Sequence, residues 1–173
     1  FMARPNRASG HVMVDGKWTH TIQRQPDAQT PAGGVSSSAN DMAKWVSLVM
    51  NDGMFGGKQV IASAPLIESH LPQMRIGTSL DGLPSYYGLG WNVGYNADGR
   101  HKISHSGAFA MGTGTNVTIS LDDKLGIIVL TNAAPIGVAE GLAAEFIDNA
   151  LYGKQTQPWF QIYRKALTDM MNA

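Results

Sequence analysis

Cysteine is missing altogether from the 173 residues. That excludes disulfide scaffolds and thiolate chemistry, and leaves the redox compartment open. Charge is scarce and balanced: Asp, Glu, Lys and Arg make up 15% of the chain and sum to a net charge of zero. Without a basic excess there is no electrostatic footprint for nucleic acid or an anionic membrane surface. No stretch approaches the ~20 apolar residues of a membrane span. The segment Phe1-Met-Ala-Arg-Pro-Asn-Arg7 has no apolar run of the kind a secretory signal needs. Position 1 is Phe rather than Met, so this reading puts the natural start upstream, where a signal could have been lost. What the chain does have is 43% apolar residues, which predicts a well-buried globular body.

Residues 1–35 read as loop-rich, with a hairpin signal where Asp15-Gly16 lies between apolar flanks, and with Pro26, Pro31, Gly33 and Gly34 as punctuation. A helix is predicted after Ser38, with Asp41 three residues on as a variant capping box. Its apolar stripe is Met42, Trp45, Val46, Val49 and Met50, and Asn51-Asp-Gly53 ends it. A short helix runs from Ser63 to about Leu71, and residues 73–85 read as a loop. Strands are predicted at Tyr87–Val93, Lys102–Ala108, Thr115–Leu121 and Gly126–Thr131, forming an antiparallel meander. The last of these is continuously apolar, which argues for burial on both faces and a mid-sheet position. The meander supplies it with only one neighbour, so a second strand is expected from a longer chain or from another copy, with a one-sided edge strand as the plain alternative. A long helix at Gly137–Leu151 is expected to bury Val138, Leu142, Ala143, Phe146, Ala150 and Leu151, and an amphipathic tail helix follows at Trp159–Met171.

Few constellations could carry chemistry. His101 and His105, four apart on a strand, would sit roughly 13 Å from each other, too far for a shared metal. His11, His20 and His70 show no ligand spacing and read as surface or loop residues, so no metal and no cofactor is expected. The pairs Gly88/Gly90 and Gly112/Gly114 complete no dinucleotide or phosphate fingerprint. The chain contains no Ser-x-x-Lys, no Gly-x-Ser-x-Gly and no Tyr-x-Asn. There remains His105-Ser106-Gly107-Ala108 near a strand end. The imidazole can relay a proton, the Ser106 hydroxyl can bind a substrate oxygen, Gly107 lets substrate lie along the backbone, and the next N–H can serve an oxyanion. A polar strand end is the plain alternative.

The segment Pro31-Ala-Gly-Gly-Val-Ser-Ser-Ser-Ala-Asn-Asp-Met-Ala-Lys-Trp45 resembles a Pro-Ala-Gly-Gly…Ser…Asp-hydrophobic-Ala-x-Trp segment of the β-lactamase-related serine hydrolases, and Tyr87-Gly-Leu-Gly-Trp91, His105-Ser-Gly107 and Ile128-Val-Leu-Thr-Asn132 follow in that family's order. The group includes class C β-lactamases, penicillin-binding carboxypeptidases, D-aminopeptidases and β-lactamase-like esterases. The resemblance covers about residues 1–153 and implies an incomplete α+β fold of the β-lactamase/transpeptidase type: an antiparallel sheet flanked by helices, with part of a helical lobe. It implies that residues 1–84 contribute to the helical lobe and loops. Residues 85–153 would form the C-terminal half of the α/β lobe, and 154–173 a linker and tail that in some members leads to a further domain. The serine nucleophile and its lysine belong to an N-terminal part not contained here, whose strand would pair with Gly126–Thr131.

The resemblance further implies acyl transfer on an amide, β-lactam or ester, with His105, Ser106 and Gly107 in the place of the usual Lys-Thr-Gly. The Ala108 N–H would hold the oxyanion, Phe109 would line the substrate, and the protein would be periplasmic or extracellular. Histidine, with an ordinary pKa of about 6.5, is mostly neutral at pH 7. That weakens recognition of a substrate carboxylate and favours esterase-like or aminopeptidase-like substrates, without excluding β-lactams. Ser38-Ala-Asn40 matches an alternative second motif of the group, yet it coincides with a helix cap and is read as one. Alone, the chain is expected to be inactive toward small-molecule or peptide substrates and to pair through its last strand. The alternative is a non-catalytic ligand-binding or interaction module on the same scaffold.

Overall fold

A computed structural model describes residues 3–21 and 27–171 of the chain; the punctuating Pro26 lies outside them. In chain order the elements begin with a hairpin, β1 (His11–Val14) and β2 (Lys17–His20), then a single turn α1 (Thr30–Gly33) and the helix α2 (Ala39–Met50). A tiny hairpin, β3 (Met54–Phe55) and β4 (Lys58–Gln59), leads to α3 (Ser63–Ser69). Six strands follow: β5 (Met74–Thr78), β6 (Pro84–Tyr87), β7 (Asn92–Tyr95), β8 (His101–Phe109), β9 (Thr113–Ser120) and β10 (Leu125–Thr131). The helices α4 (Val138–Tyr152) and α5 (Trp159–Met171) close the chain. The six strands form one antiparallel sheet in the order β10-β9-β8-β7-β6-β5.

Local chemistry accounts for most of these elements. Asp15 and Gly16 both take positive φ (49° and 75°), as the two-residue turn of a right-twisted hairpin requires. The Ser38 side chain accepts the Asp41 N–H at 3.2 Å and caps α2, and Lys44 pairs with Asp41 one turn on. The α2 stripe buries Val46 and Val49 against Trp91, just before β7, and the sheet residues Val93, Ile103 and Ile119, while Trp45 stacks on Trp91 with ring centroids 5.2 Å apart. Burying each of these aliphatic chains contributes about 1.5–3 kcal/mol. The opposite face of the sheet carries Ile127 and Val129 against Ala139 and Ala143 of α4.

Several expectations give way. Residues 73–85 are not a loop: β5 pairs with β6 and extends the sheet, with a bulge between Arg75 and Gly77. The predicted strand Tyr87–Val93 is broken by a turn, closed by Gly88 N–H donating to Trp91 O at 2.8 Å. The α4 stripe also differs. Val138, Leu142 and Phe146 are exposed, while Ala139, Ala143 and Ile147 face inward. The physical reason is reach: small residues let the helix sit close to β9 and β10, and the bulky ones are left on the outer side. β10 is an edge strand with only Val129 fully buried, because no strand among the described residues covers its outer side. Near its end the first hairpin takes over, with Ala134 N–H donating to His11 O at 2.8 Å. His11 and His20 sit opposite each other in that hairpin, with His20 at the surface as expected.

His70 is the clearest misreading, since it is 3% exposed. Its ring meets Trp91 edge-on at 5.7 Å, and its Nε2 has no partner. Burial holds its pKa below the ordinary histidine value; nearby His101 lowers it further, and Asp52 opposes. The folded state therefore binds fewer protons than the unfolded state below about pH 6.5, so stability is full above that value and is lost as pH falls through it. The melting temperature is expected to drop between pH 7.5 and pH 5, and to drop less in His70→Phe. Parallel curves for the two proteins would remove His70 as the cause.

Candidate functional site

The site is built on a length mismatch between neighbouring strands. β7 pairs with β8 only from Tyr95↔His101 to Asn92↔Ser104, while β8 runs on to Phe109, paired with β9 throughout. Residues His105–Phe109 thus overhang, with one edge covered by β9 and the other without a strand among the described residues.

Backbone parity decides which groups line that open edge. Leu121 N–H donates to His101 O at 2.9 Å, so His101 exchanges hydrogen bonds with the β9 side. In an antiparallel ladder the direction alternates with each residue. Ile103, His105, Gly107 and Phe109 then point their amides toward β9, and Ser104, Ser106 and Ala108 point theirs the other way. Ser104 meets Asn92 of β7, which leaves the amides of Ser106 and Ala108 facing the open edge.

The side chains complete the arrangement. The His105 ring folds over this edge: Nδ1 lies 2.8 Å from the Ser106 carbonyl oxygen, and Nε2 lies 3.1 Å from the Tyr87 hydroxyl at the end of β6. The two rings meet edge to face, with centroids 6.3 Å apart. The Ser106 hydroxyl is engaged, accepting from Asn116 Nδ2 at 3.1 Å, and Asn116 in turn accepts from Thr118 at 2.8 Å. Asn116 and Thr118 are buried polar residues on the α4 side of β9. Gly107 has no room for a side chain, since an added Cβ would lie 2.6 Å from Thr115 Oγ1. That hydroxyl donates to the Gly107 carbonyl at 3.3 Å. At the strand tip, Phe109 packs against the Pro-Ala-Gly-Gly turn, where an added Cβ on Gly33 would lie 3.1 Å from the ring.

The structure thus gathers His105, Gly107, Ala108 and Phe109 along one overhang, and turns the Ser106 hydroxyl toward a polar layer beneath it. Sequence reasoning passed over Tyr87 and Asn116. Tyr87 opened a recognised motif without receiving a role. Asn116 could have been noticed as a polar residue alternating with Val117 and Ile119 in an apolar strand. Among the described residues no cluster of His, Asp or Glu could hold a metal, and no helix is long and apolar enough to cross a membrane.

Residues 3–152 match the family model described as Beta-lactamase. No curated protein matches the chain. Among solved structures it is similar to the octameric penicillin-binding protein homologue from Pyrococcus abyssi, with a TM-score of 0.70 and 18% identity. That likeness is one of fold. It covers 97% of this chain and 36% of the other, so the chain spans about a third of that protein's length.

Proposed function

Because this chain belongs to the Beta-lactamase family, we propose that it supplies the substrate-facing rim of a serine hydrolase acting by acyl transfer on an amide, β-lactam or ester. The nucleophile would come from a Ser-x-x-Lys segment outside these residues, since no serine here is followed three positions on by lysine. The observation that carries this reading is the open edge of β8. An extended acyl substrate lying against it would find the Ser106 and Ala108 amides unpaired and aimed at it, while Gly107 keeps the approach clear. When the serine attacks the carbonyl, negative charge develops on the carbonyl oxygen. The Ala108 N–H and the N–H of the attacking serine would share that charge, an arrangement that accounts for about 3–4 kcal/mol per donor in comparable sites. Proton transfer to and from the nucleophile would fall to the lysine and tyrosine of the missing segment.

β10 and the exposed Val138, Leu142 and Phe146 of α4 form the surface on which that segment would pack, its strand completing the ladder on the outer side of β10. A second copy of the chain is the other candidate for the same edge. The structural neighbour is octameric, and that supports testing self-association here as well.

The decisive experiment compares the chain alone with a longer version that carries a Ser-x-x-Lys segment ahead of residue 1. The longer protein is expected to hydrolyse a chromogenic ester or cephalosporin and to be labelled by a fluorophosphonate, while the 173 residues alone do neither. Failure of the longer protein in both assays would favour a non-catalytic binding module, for which the missing nucleophile in this chain is the supporting observation.

A further inference from the structure

The pairing of Tyr87 with His105 deepens that reading and rests on it for the substrate half of the argument. His105 Nδ1 lies 2.8 Å from the Ser106 carbonyl oxygen, which can only accept. Nδ1 must therefore carry the hydrogen. In the neutral ring Nε2 is then a lone-pair acceptor. Its neighbour at 3.1 Å is the Tyr87 hydroxyl, which must donate. Both ring nitrogens are committed, one from inside the overhang and one from the end of β6. The ion pairs of Lys44, Arg100, Lys102 and Lys165 lie elsewhere.

We propose that Tyr87 is a positioning residue that holds His105 as the Nδ1–H tautomer, so that the rim offers a neutral, acceptor-terminated pair and selects acyl substrates carrying no carboxylate beside the scissile bond. A neutral ring in this state cannot donate from Nε2. A substrate carboxylate placed at Nε2 would face the imidazole lone pair, with no donor hydrogen on that nitrogen to meet it. An uncharged ester or amide needs no such donor and incurs no desolvation penalty for a carboxylate. The choice of substrate then rests on a tyrosine eighteen residues upstream of the histidine, brought to it by the early end of β7.

Two measurements test the two halves separately. Nitrogen-15 NMR of the 173-residue chain at pH 8 reports the His105 tautomer whether or not any hydrolysis occurs. The expected spectrum shows Nδ1 protonated and Nε2 bare. In Tyr87→Phe the Nε2 resonance is expected to shift as its hydrogen bond is lost, with the remaining histidines unmoved. An Nε2–H tautomer in the wild-type protein, or an unchanged His105 signal in Tyr87→Phe, would overturn the positioning role. For the substrate half, the longer protein carrying the nucleophile is assayed with a neutral ester and with its carboxylate-bearing analogue. His105→Lys is expected to raise the kcat/KM ratio for the carboxylate analogue over the neutral ester by at least tenfold. An unchanged ratio in an active enzyme would overturn the selectivity while leaving the hydrolase reading intact.

Discussion

Replacing Asp148 with Ala is expected to destabilise the protein by about 2–4 kcal/mol and to release α5 from α4. The Asp148 carboxylate lies near the end of α4 and is 6% exposed. One of its oxygens, Oδ2, accepts three hydrogen bonds: from Thr156 N–H at 2.7 Å, from Thr156 Oγ1 at 2.5 Å and from Trp159 Nε1 at 2.6 Å. Bonds to an ionised acceptor contribute roughly 1.5–3 kcal/mol each, and because they share one atom they do not add in full. The larger effect is on what remains. Trp159 is itself buried, so loss of the carboxylate strands its indole N–H away from water. Asp148→Asn keeps an acceptor oxygen and is expected to cost less than half as much. Urea unfolding gives the energies, and amide exchange along residues 159–171 reports whether α5 has come loose. Wild-type exchange there in Asp148→Ala would show that α5 is held by its apolar contacts alone.

The second large effect is expected at Gly126, and there the penalty comes from crowding. α2 crosses β10 so closely that an added Cβ at Gly126 would lie 2.6 Å from Val46 Cγ1. Val46 is 3% exposed and locked in the main core, so it has little freedom to move aside. Forcing atoms into such a contact costs about 1–3 kcal/mol, and Gly126→Val, with three added carbons, is expected at or above the top of that range. Gly126→Ala should fall near the bottom. Trimming the opposing side chain offers a clean check, because Val46→Ala opens the space that the new methyl needs. The double mutant Gly126→Ala/Val46→Ala is expected to be more stable than the sum of the single costs predicts, by about 1 kcal/mol. Strict additivity would mean that α2 does not sit on β10 as described. The contact also bears on the proposed function, since β10 is the strand proposed above to take a further strand on its outer side.

The elements that were legible in the sequence owe their form to local physics. The cap at Ser38, the turn at Asp15-Gly16 and the alternation of Val117 and Ile119 are decided within a few residues, and the helix and strands they announce are present. The family motifs belong to the same class: short, ordered runs whose spacing survives without knowledge of contacts. The tripeptide His105-Ser106-Gly107 could be found this way, but its geometry could not. Whether Ser106 turns its hydroxyl to substrate or to Asn116 depends on which face β9 presents ten residues later.

The sequence alone determined an α+β chain with an antiparallel meander, a capped helix, an apolar last strand and a family signature. These follow from periodicity and side-chain chemistry acting over one or two turns. Tertiary structure alone decided that His70 is buried, that α4 turns small residues inward, that residues 74–78 join the sheet, and that β7 stops short so that Tyr87 can reach His105. Each of those outcomes depends on how closely two distant segments approach, and a one-dimensional pattern carries no record of such distances.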